Sequence, residues 1–253
     1  MRNVIYRVYE AMLERGLDRG NLPRHVAVML DGNRRWAERR PGSIAKNGHA
    51  AGATKIFDFL SWCDDLGVPV VTLYLLSTDN LKNRESTELQ DLLVIIDGLV
   101  KEMESRGNWK LRLVGDRKVL PENLLATLEK AEKSTRKTTG AQVNLAIGYG
   151  GRQEIADAMR SIVKKHVDDG SGIEALADLL TPELISQHLY TSDQPDPDLI
   201  IRTSGEQRLS GFLLWQSSSS ELYFEEALWP DFRRVDFLRA IRAFAKRHRR
   251  FGA

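Results

Sequence analysis

The sequence predicts an α/β fold: a single domain over residues 1–253, built on a mostly parallel six-stranded sheet flanked by helices. Three observations predict it. Short apolar runs rich in β-branched residues alternate with longer segments whose apolar positions repeat with helical period. Hydrophobic content of 42% over 253 residues supports a sizeable core. No linker, internal repeat or low-complexity tract divides the chain.

Residues 1–22 come first. Charge is mixed through Met1 to Arg15, unlike a secretory leader. Val4, Ile5, Val8, Met12 and Leu13 repeat with helical period, so an amphipathic helix packs on the domain, with at most peripheral membrane contact. His25 to Leu30 reads as a buried strand. Gly52 to Leu66 reads as a helix with Ile56, Phe59, Leu60 and Cys63 on one stripe. Val68 to Leu76 is the second strand. Glu88 to Met103 is a helix carrying Leu92, Ile95, Ile96, Leu99 and Met103. Strand Lys110 to Gly115, helix Leu124 to Lys137, strand Gln142 to Gly148 and helix Gln153 to Val167 continue the alternation. Thr181 to Leu189 is a helix with a threonine cap and Pro182 at its first position. Asp193 to Asp198, with Pro195 and Pro197, is a loop whose acidic spacing only superficially suggests a metal site. Asp198 to Arg202 and Phe212 to Trp215 are the last strands expected, and Val235 to His248 the last helix.

Composition excludes several classes. A net charge of +2 gives no ground for nucleic-acid binding. A nucleic-acid stripe would interleave aromatics along a basic face. Here the cluster Arg34, Arg35, Arg39, Arg40 adjoins the Asp31 segment, and Lys246 to Arg250 is terminal, so that reading ranks low. One cysteine, Cys63, permits no intrachain disulfide, fits a reducing cytoplasm, and reads as a core residue. No apolar run approaches the roughly 18 residues of a membrane span. Phosphate-loop and dinucleotide fingerprints are missing, and Tyr149-Gly150-Gly151-Arg152 reads as a tight turn and helix start. Asp64-Asp65 is followed by leucine, glycine and valine, so no Asp-Asp-x-x-Asp element forms there.

Two segments carry chemistry. In Asp198 to Ser210 an apolar run ends in Arg202, a small polar turn, Glu206 and Arg208. Small residues let the backbone turn its amides toward an anion, and two guanidiniums across such a turn can grip one diphosphate. An ordinary charged turn is the competing reading. In the second segment, the strand from His25 runs straight into Asp31-Gly32-Asn33-Arg34-Arg35-Trp36. Ligands of open parallel sheets bind at that strand end. An aspartate there suits magnesium, which takes hard oxygen ligands and bridges to phosphate. A helix cap would also use an aspartate, but explains neither the glycine nor the arginine pair.

Together these residues resemble the cis-prenyltransferase (undecaprenyl diphosphate synthase) family, most closely its short-chain actinobacterial-type members. The resemblance runs from about Pro23 to Gly252. It includes Asp31 to Trp36, Gly48-His49 with Gly52, Leu73-Tyr74, Ser77-Thr78-Asp79-Asn80, and Gly148 to Arg152. Further along it includes Ile201 to Glu206, Phe212 to Gln216, Glu221 to Phe224, Trp229 to Phe232, and Arg249 to Gly252. It implies an enzyme that joins isopentenyl diphosphate to an allylic diphosphate with a new cis double bond. It also implies Mg2+, a homodimer, a cytoplasmic or membrane-associated location, and a hydrophobic tunnel between sheet and helices. From the residues alone that tunnel is indistinguishable from a filled core.

Residue by residue, the resemblance implies that Asp31 binds magnesium and assists departure of the allylic diphosphate. Gly32, Asn33, Arg34, Arg35 and Trp36 belong to the block that cradles it. His49, with a plain helix-start histidine as the alternative, contacts it and could donate a proton to a phosphate oxygen. Ser77, Thr78, Asp79 and Asn80 form the second block. Asn80 helps proton removal, more easily by orienting than as a base, because an amide is weakly basic. Arg202, Arg208, Leu209 and Ser210 hold isopentenyl diphosphate, Glu221 completes the metal site, and Arg250 to Gly252 reach in across a dimer contact.

Departures are informative. Long-chain relatives have glycine where Arg34 stands, an aromatic at Leu81, and an arginine at Asn83, beside which lies Arg84. Another arginine of theirs falls near Ala45 or Lys46. Leu75 replaces a small residue and would floor the tunnel early. A fifteen-carbon (2Z,6E)-farnesyl diphosphate made from geranyl diphosphate is therefore expected. The alternatives are irregular head-to-middle coupling and a non-catalytic partner subunit. Asp31, Arg202 and Arg208, all present, argue against the latter.

Overall fold

The computed structural model describes residues 2–170, 176–177 and 179–247. Its centre is one sheet of β1 (His25–Met29), β2 (Val70–Ser77), β3 (Lys110–Val114), β4 (Gln142–Tyr149), β5 (Leu199–Arg202) and β6 (Glu221–Phe224). The strand order is β3-β4-β2-β1-β5-β6 and every pairing is parallel. The helices are α1 (Arg2–Arg15), α2 (Asn33–Glu38), α3 (Ala45–Asp65), α4 (Thr78–Asn83), α5 (Ser86–Arg106), α6 (Glu122–Thr135), α7 (Gly151–Asp168), α8 (Pro182–Gln187) and α9 (Arg234–Lys246).

Strand alternation builds two cores. Val26, Val28, Val71, Leu73, Val143, Leu145, Leu199 and Ile201 point to the larger one, where they meet side chains of α1, α3, α5, α6 and α9. Ala27, Met29, Ala146 and Ile200 point to a smaller one with Tyr149, Phe212 and Leu213. β1 lies between β2 and β5, although the chain reaches β5 only after β4. Such a reversal of strand order opens a crevice beyond the carboxyl ends, here beside Asp31.

The expected sixth strand at Phe212 to Trp215 is not one. Ser210, Gly211 and Leu213 have φ of 46°, 81° and 45°, which no strand tolerates. Phe212 instead folds onto the small core, stacked on Tyr74 with ring centroids 4.5 Å apart. The edge strand is Glu221–Phe224, paired to β5. Helix starts also differ: α3 begins at Ala45, so Gly48, His49 and Gly52 are helical. The Thr181 cap is present, its side chain accepting from Leu184 N, with Pro182 in the first turn. Asp31 is not a cap: Gly32, at φ 106°, takes the N-cap place of α2. In β2, Tyr74 opposes Ala146 and Leu76 opposes Ile147, so Leu75 is an extra residue in a bulge.

The small-core side also holds a polar knot. His25 is 1% exposed, with Nδ1 at 2.7 Å from Pro195 O and Nε2 at 2.8 Å from Thr72 Oγ1. The carbonyl can only accept, so Nδ1 donates and Nε2 accepts from the threonine hydroxyl. Burial pushes the ring from its ordinary 6.5 down to about 4. A base with a depressed folded pKa favours the native state above 6.5, and that stability is lost as pH falls from 6.5 toward 4. The loss is about 3 kcal/mol. Denaturant unfolding at pH 7 and pH 4 should show it, and His25→Gln should flatten that slope. An equal slope in the variant would remove His25 as the cause.

Candidate active site

The crevice is a cleft of about 360 Å³, at the small end of ligand pockets. Its polar mouth is lined by Asp31, Gly32, Asn33, Arg34, Arg35, His49, Ser77, Asn80 and Arg84. Its depth is apolar: Ile56 of α3, Leu75 and Leu76 of β2, and Leu92, Ile95, Ile96 and Leu99 of α5. It therefore suits a molecule with a charged head and a hydrocarbon tail.

At the mouth, Asp31 and Arg202 end adjacent strands. Arg202 Nε donates to Asp31 Oδ2 at 2.9 Å, and its Nη2 makes an ion-pair contact with the same oxygen at 2.7 Å. Its Nη1 donates to Ser210 Oγ at 3.0 Å and to Arg208 O. Thr203 Oγ1 donates to Asp31 O at 2.8 Å, and Trp229 N to the same carbonyl at 2.9 Å. The turn after β5 carries positive φ at Ser204 and Gly205, 79° and 75°. Arg35 donates to Ser204 Oγ at 2.6 Å. Glu206 lies between Arg35 at 3.8 Å and Arg208 at 2.6 Å. Trp36 donates to Asp231 Oδ1 at 2.8 Å beneath the Arg40 guanidinium, 3.5 Å from the ring centre.

A second cationic group faces it. His49 Nε2 and Arg84 Nη1 each lie 3.2 Å from Glu88 Oε1, and Arg34 Nε 3.7 Å from the same oxygen. Burial holds His49 below the ordinary histidine value, against the opposing pull of Glu88. The Glu88 carboxyl sits below its usual range: burial pushes it up, but His49, Arg84 and Arg34 outweigh that.

Close approach of α3 to the Asp31 loop depends on two glycines. A Cβ on Gly48 would sit 2.0 Å from Asn33 O, and one on Gly52 2.3 Å from Asn33 Oδ1. Asn33 cannot retreat cheaply, because its Nδ2 donates to Leu30 O at 3.0 Å. Gly52→Ala should shift the Asn33 loop and cost about 1–3 kcal/mol of stability. A melting temperature within 1 °C of the unsubstituted protein would show that the loop yields freely.

The cleft thus gathers Asp31 to Arg35, His49, Ser77, Asn80, Arg84 and Leu75. Ser77 Oγ accepts from Asn80 N as the α4 cap. Arg202, Arg208 and Ser210 adjoin Asp31, and Leu209 packs on the small core. Asp79 lies in the first turn of α4, and Thr78 lines a neighbouring groove with Leu81. Glu221 does not join Asp31 in the same chain. It opposes Leu199, three residues before Arg202, so it sits at the other end of the sheet, where Arg247 binds it. Arg250 and Gly252 lie outside the described residues. Glu88 was not foreseen, since a first-turn glutamate reads as an ordinary dipole partner.

Among the described residues no cluster of three or more His, Cys, Asp or Glu side chains could hold a metal alone. Asp31 does fit an ion shared with phosphate. Arg202 engages only Oδ2, the side chain is 40% exposed, and cations that could hold a diphosphate surround it. No helix among the described residues is long and apolar enough to cross a membrane.

Comparison with known proteins agrees with this geometry. A family model described as putative undecaprenyl diphosphate synthase matches residues 29–252. The chain is 52% identical over 252 residues to (2Z,6E)-farnesyl diphosphate synthase of Thermobifida fusca, covering 100% of this chain and 98% of that protein. It is 49% identical over 255 residues to short-chain Z-isoprenyl diphosphate synthase of Mycobacterium bovis, covering 100% and 97%. Among solved structures, lavandulyl diphosphate synthase from Lavandula x intermedia in complex with dimethylallyl diphosphate superposes with a TM-score of 0.84. That match has 35% identity and covers 92% of this chain and 100% of that one.

Proposed function

The chain belongs to the undecaprenyl diphosphate synthase (cis-prenyltransferase) family, and on that premise we propose that it joins isopentenyl diphosphate to geranyl diphosphate, giving (2Z,6E)-farnesyl diphosphate. The observation that carries the reading is one cleft with a cationic mouth and an aliphatic depth that includes Leu75. The allylic diphosphate rests against Arg34, Arg35, His49 and Arg84, with its hydrocarbon tail between β2, α3 and α5. Isopentenyl diphosphate is held by Arg202, Arg208 and Ser210. These cations offset the charge of two adjacent diphosphates and stabilise the leaving group as the allylic carbon–oxygen bond breaks. The apolar walls keep water from the electrophilic carbon. As the new carbon–carbon bond forms, the isopentenyl unit loses a proton to a diphosphate oxygen, with Asn80 orienting the acceptor.

Magnesium is the proposed ion, held by Asp31; when bound it neutralises diphosphate charge and activates the leaving group. Glu221 lies at the far sheet end of its own chain, so its part in ion binding is proposed only across a second copy. The Arg250–Gly252 element calls for the same homodimer. A cytoplasmic location, with at most surface contact with membrane, fits the single cysteine.

One observation favours a second reading, head-to-middle coupling of two allylic units: the likeness to lavandulyl diphosphate synthase. A panel of dimethylallyl, geranyl and farnesyl diphosphates, each with and without isopentenyl diphosphate, separates the two. Products are read by mass and double-bond geometry. A cis C15 diphosphate from geranyl diphosphate is expected. A branched product from dimethylallyl diphosphate alone would favour the second reading. No turnover with any pair would leave a non-catalytic partner subunit.

A further inference from the structure

We propose that Glu88 and His49 form a carboxylate–imidazole pair in which Glu88, from behind the cleft, orients the ring and stabilises its charged form when the allylic diphosphate arrives. The inference rests on the diphosphate reading above. Arg34, His49 and Arg84 line the cleft, whereas Glu88 is not among the lining residues. It reaches all three from the first turn of α5 through one oxygen, Oε1. Three segments that share no helix converge there: α2, α3 and the link between α4 and α5. Glu88 Oε1 at 3.2 Å and Arg84 Nη1 at 3.3 Å both approach Nε2. In the tautomer that forms the pair Nε2–H donates to Glu88, and the donor-only guanidinium is then a charge neighbour and not a hydrogen-bond partner. Nδ1 is therefore left for a group in the cleft. A carboxylate on one ring nitrogen fixes the orientation and favours the imidazolium that exists when the other nitrogen also carries a proton.

The charged groups facing the ring are Glu88 on α5, Arg84 beyond α4 and Arg34 on α2. The two guanidiniums and burial disfavour the protonated ring, and Glu88 alone opposes them. An arriving diphosphate adds negative charge on the cleft side and tips the balance, so the ring takes a proton from solvent. As the allylic carbon–oxygen bond breaks, the electron pair leaves with the diphosphate. The ring N–H bond then breaks, an O–H bond forms on a diphosphate oxygen, and His49 returns to neutral. Glu88 exchanges no proton and touches no substrate; it is a positioning residue.

The test compares the unsubstituted protein, Glu88→Gln and Glu88→Asp. Binding of inorganic pyrophosphate is followed by calorimetry in two buffers of different ionisation heat at pH 7.5, so that proton uptake is read directly. Proton uptake is expected in the unsubstituted protein, to be lost in Glu88→Gln and partly restored in Glu88→Asp. For the condensation, Glu88→Gln is expected to lower kcat roughly tenfold, with KM for the allylic diphosphate changed less than about threefold. The alkaline limb of its pH profile should move to lower pH by about one unit. Thermal melts of all three proteins identify any variant that fails to fold, and the charge-preserving aspartate keeps the comparison decisive. Unchanged proton uptake with an unmoved limb in Glu88→Gln would overturn the pair, even if activity fell, since a bracing role alone gives that result. An unsubstituted protein that binds no pyrophosphate would overturn the diphosphate assignment itself, and the pair with it.

Discussion

Asp31→Asn is expected to lower kcat for condensation by roughly a thousandfold while leaving the protein folded. Asparagine keeps the shape and still offers an oxygen to Arg202, whose Nε donates to Asp31 Oδ2 at 2.9 Å and whose Nη2 lies 2.7 Å from the same oxygen. The stability cost is therefore that of a weakened hydrogen bond, about 1–2 kcal/mol. What disappears is the negative charge, and with it the ligand proposed for magnesium. The Arg202 side chain, 6% exposed, then faces the cleft mouth without its carboxylate. Arg202→Ala should act differently, raising KM for isopentenyl diphosphate, because that guanidinium is also braced by Ser210 Oγ and the Arg208 carbonyl. The double variant should lose much less than the product of the single effects, since each substitution already breaks the shared pair. Steady-state kinetics at saturating magnesium check this. A kcat for Asp31→Asn within tenfold of the unsubstituted protein would remove Asp31 from the chemistry.

The sequence makes the meeting of Asp31 and Arg202 half legible. Both end apolar strands, so a parallel sheet must bring both to one edge. Only the observed order, with β5 beside β1, makes them neighbours across 171 positions. Strand β6 was illegible for the opposite reason. Its four residues are all half-buried, so no contrast of apolar and polar faces marks it. Phe212 to Trp215 looks more strand-like than β6 does, and is bent by left-handed backbone that apolar side chains do not reveal. Glu221 shows the limit of motif reading. A motif gives its place in the chain, but strand register decides which end of the sheet it occupies, and register put it with Arg247. Glu88 needed three segments folded together before its role showed.

Leu75→Ala should change the product rather than the rate, adding one or two isoprene units to the C15 chain. The bulge is the reason. In an unbroken strand neighbouring side chains alternate between faces. Here Leu75 is unpaired in the register, and Leu75 and Leu76 both line the cleft on the large-core side. Two consecutive leucines thus block space that one would leave half open. Truncation at Leu75 removes three carbons, less than a five-carbon isoprene unit, so a full extension also needs the α5 side chains to give way. Leu92, Ile95, Ile96 and Leu99 line the same apolar depth as Leu75, which is why a modest extension is expected rather than a very long chain. Leu75 is only half-buried and borders existing space, so the substitution should cost about 2 kcal/mol or less, the low end for leucine to alanine. Mass spectra of the dephosphorylated alcohols decide it. A C15 product from Leu75→Ala would transfer the stop to α5, and Ile95→Ala with Ile96→Ala would become the substitutions that lengthen the chain.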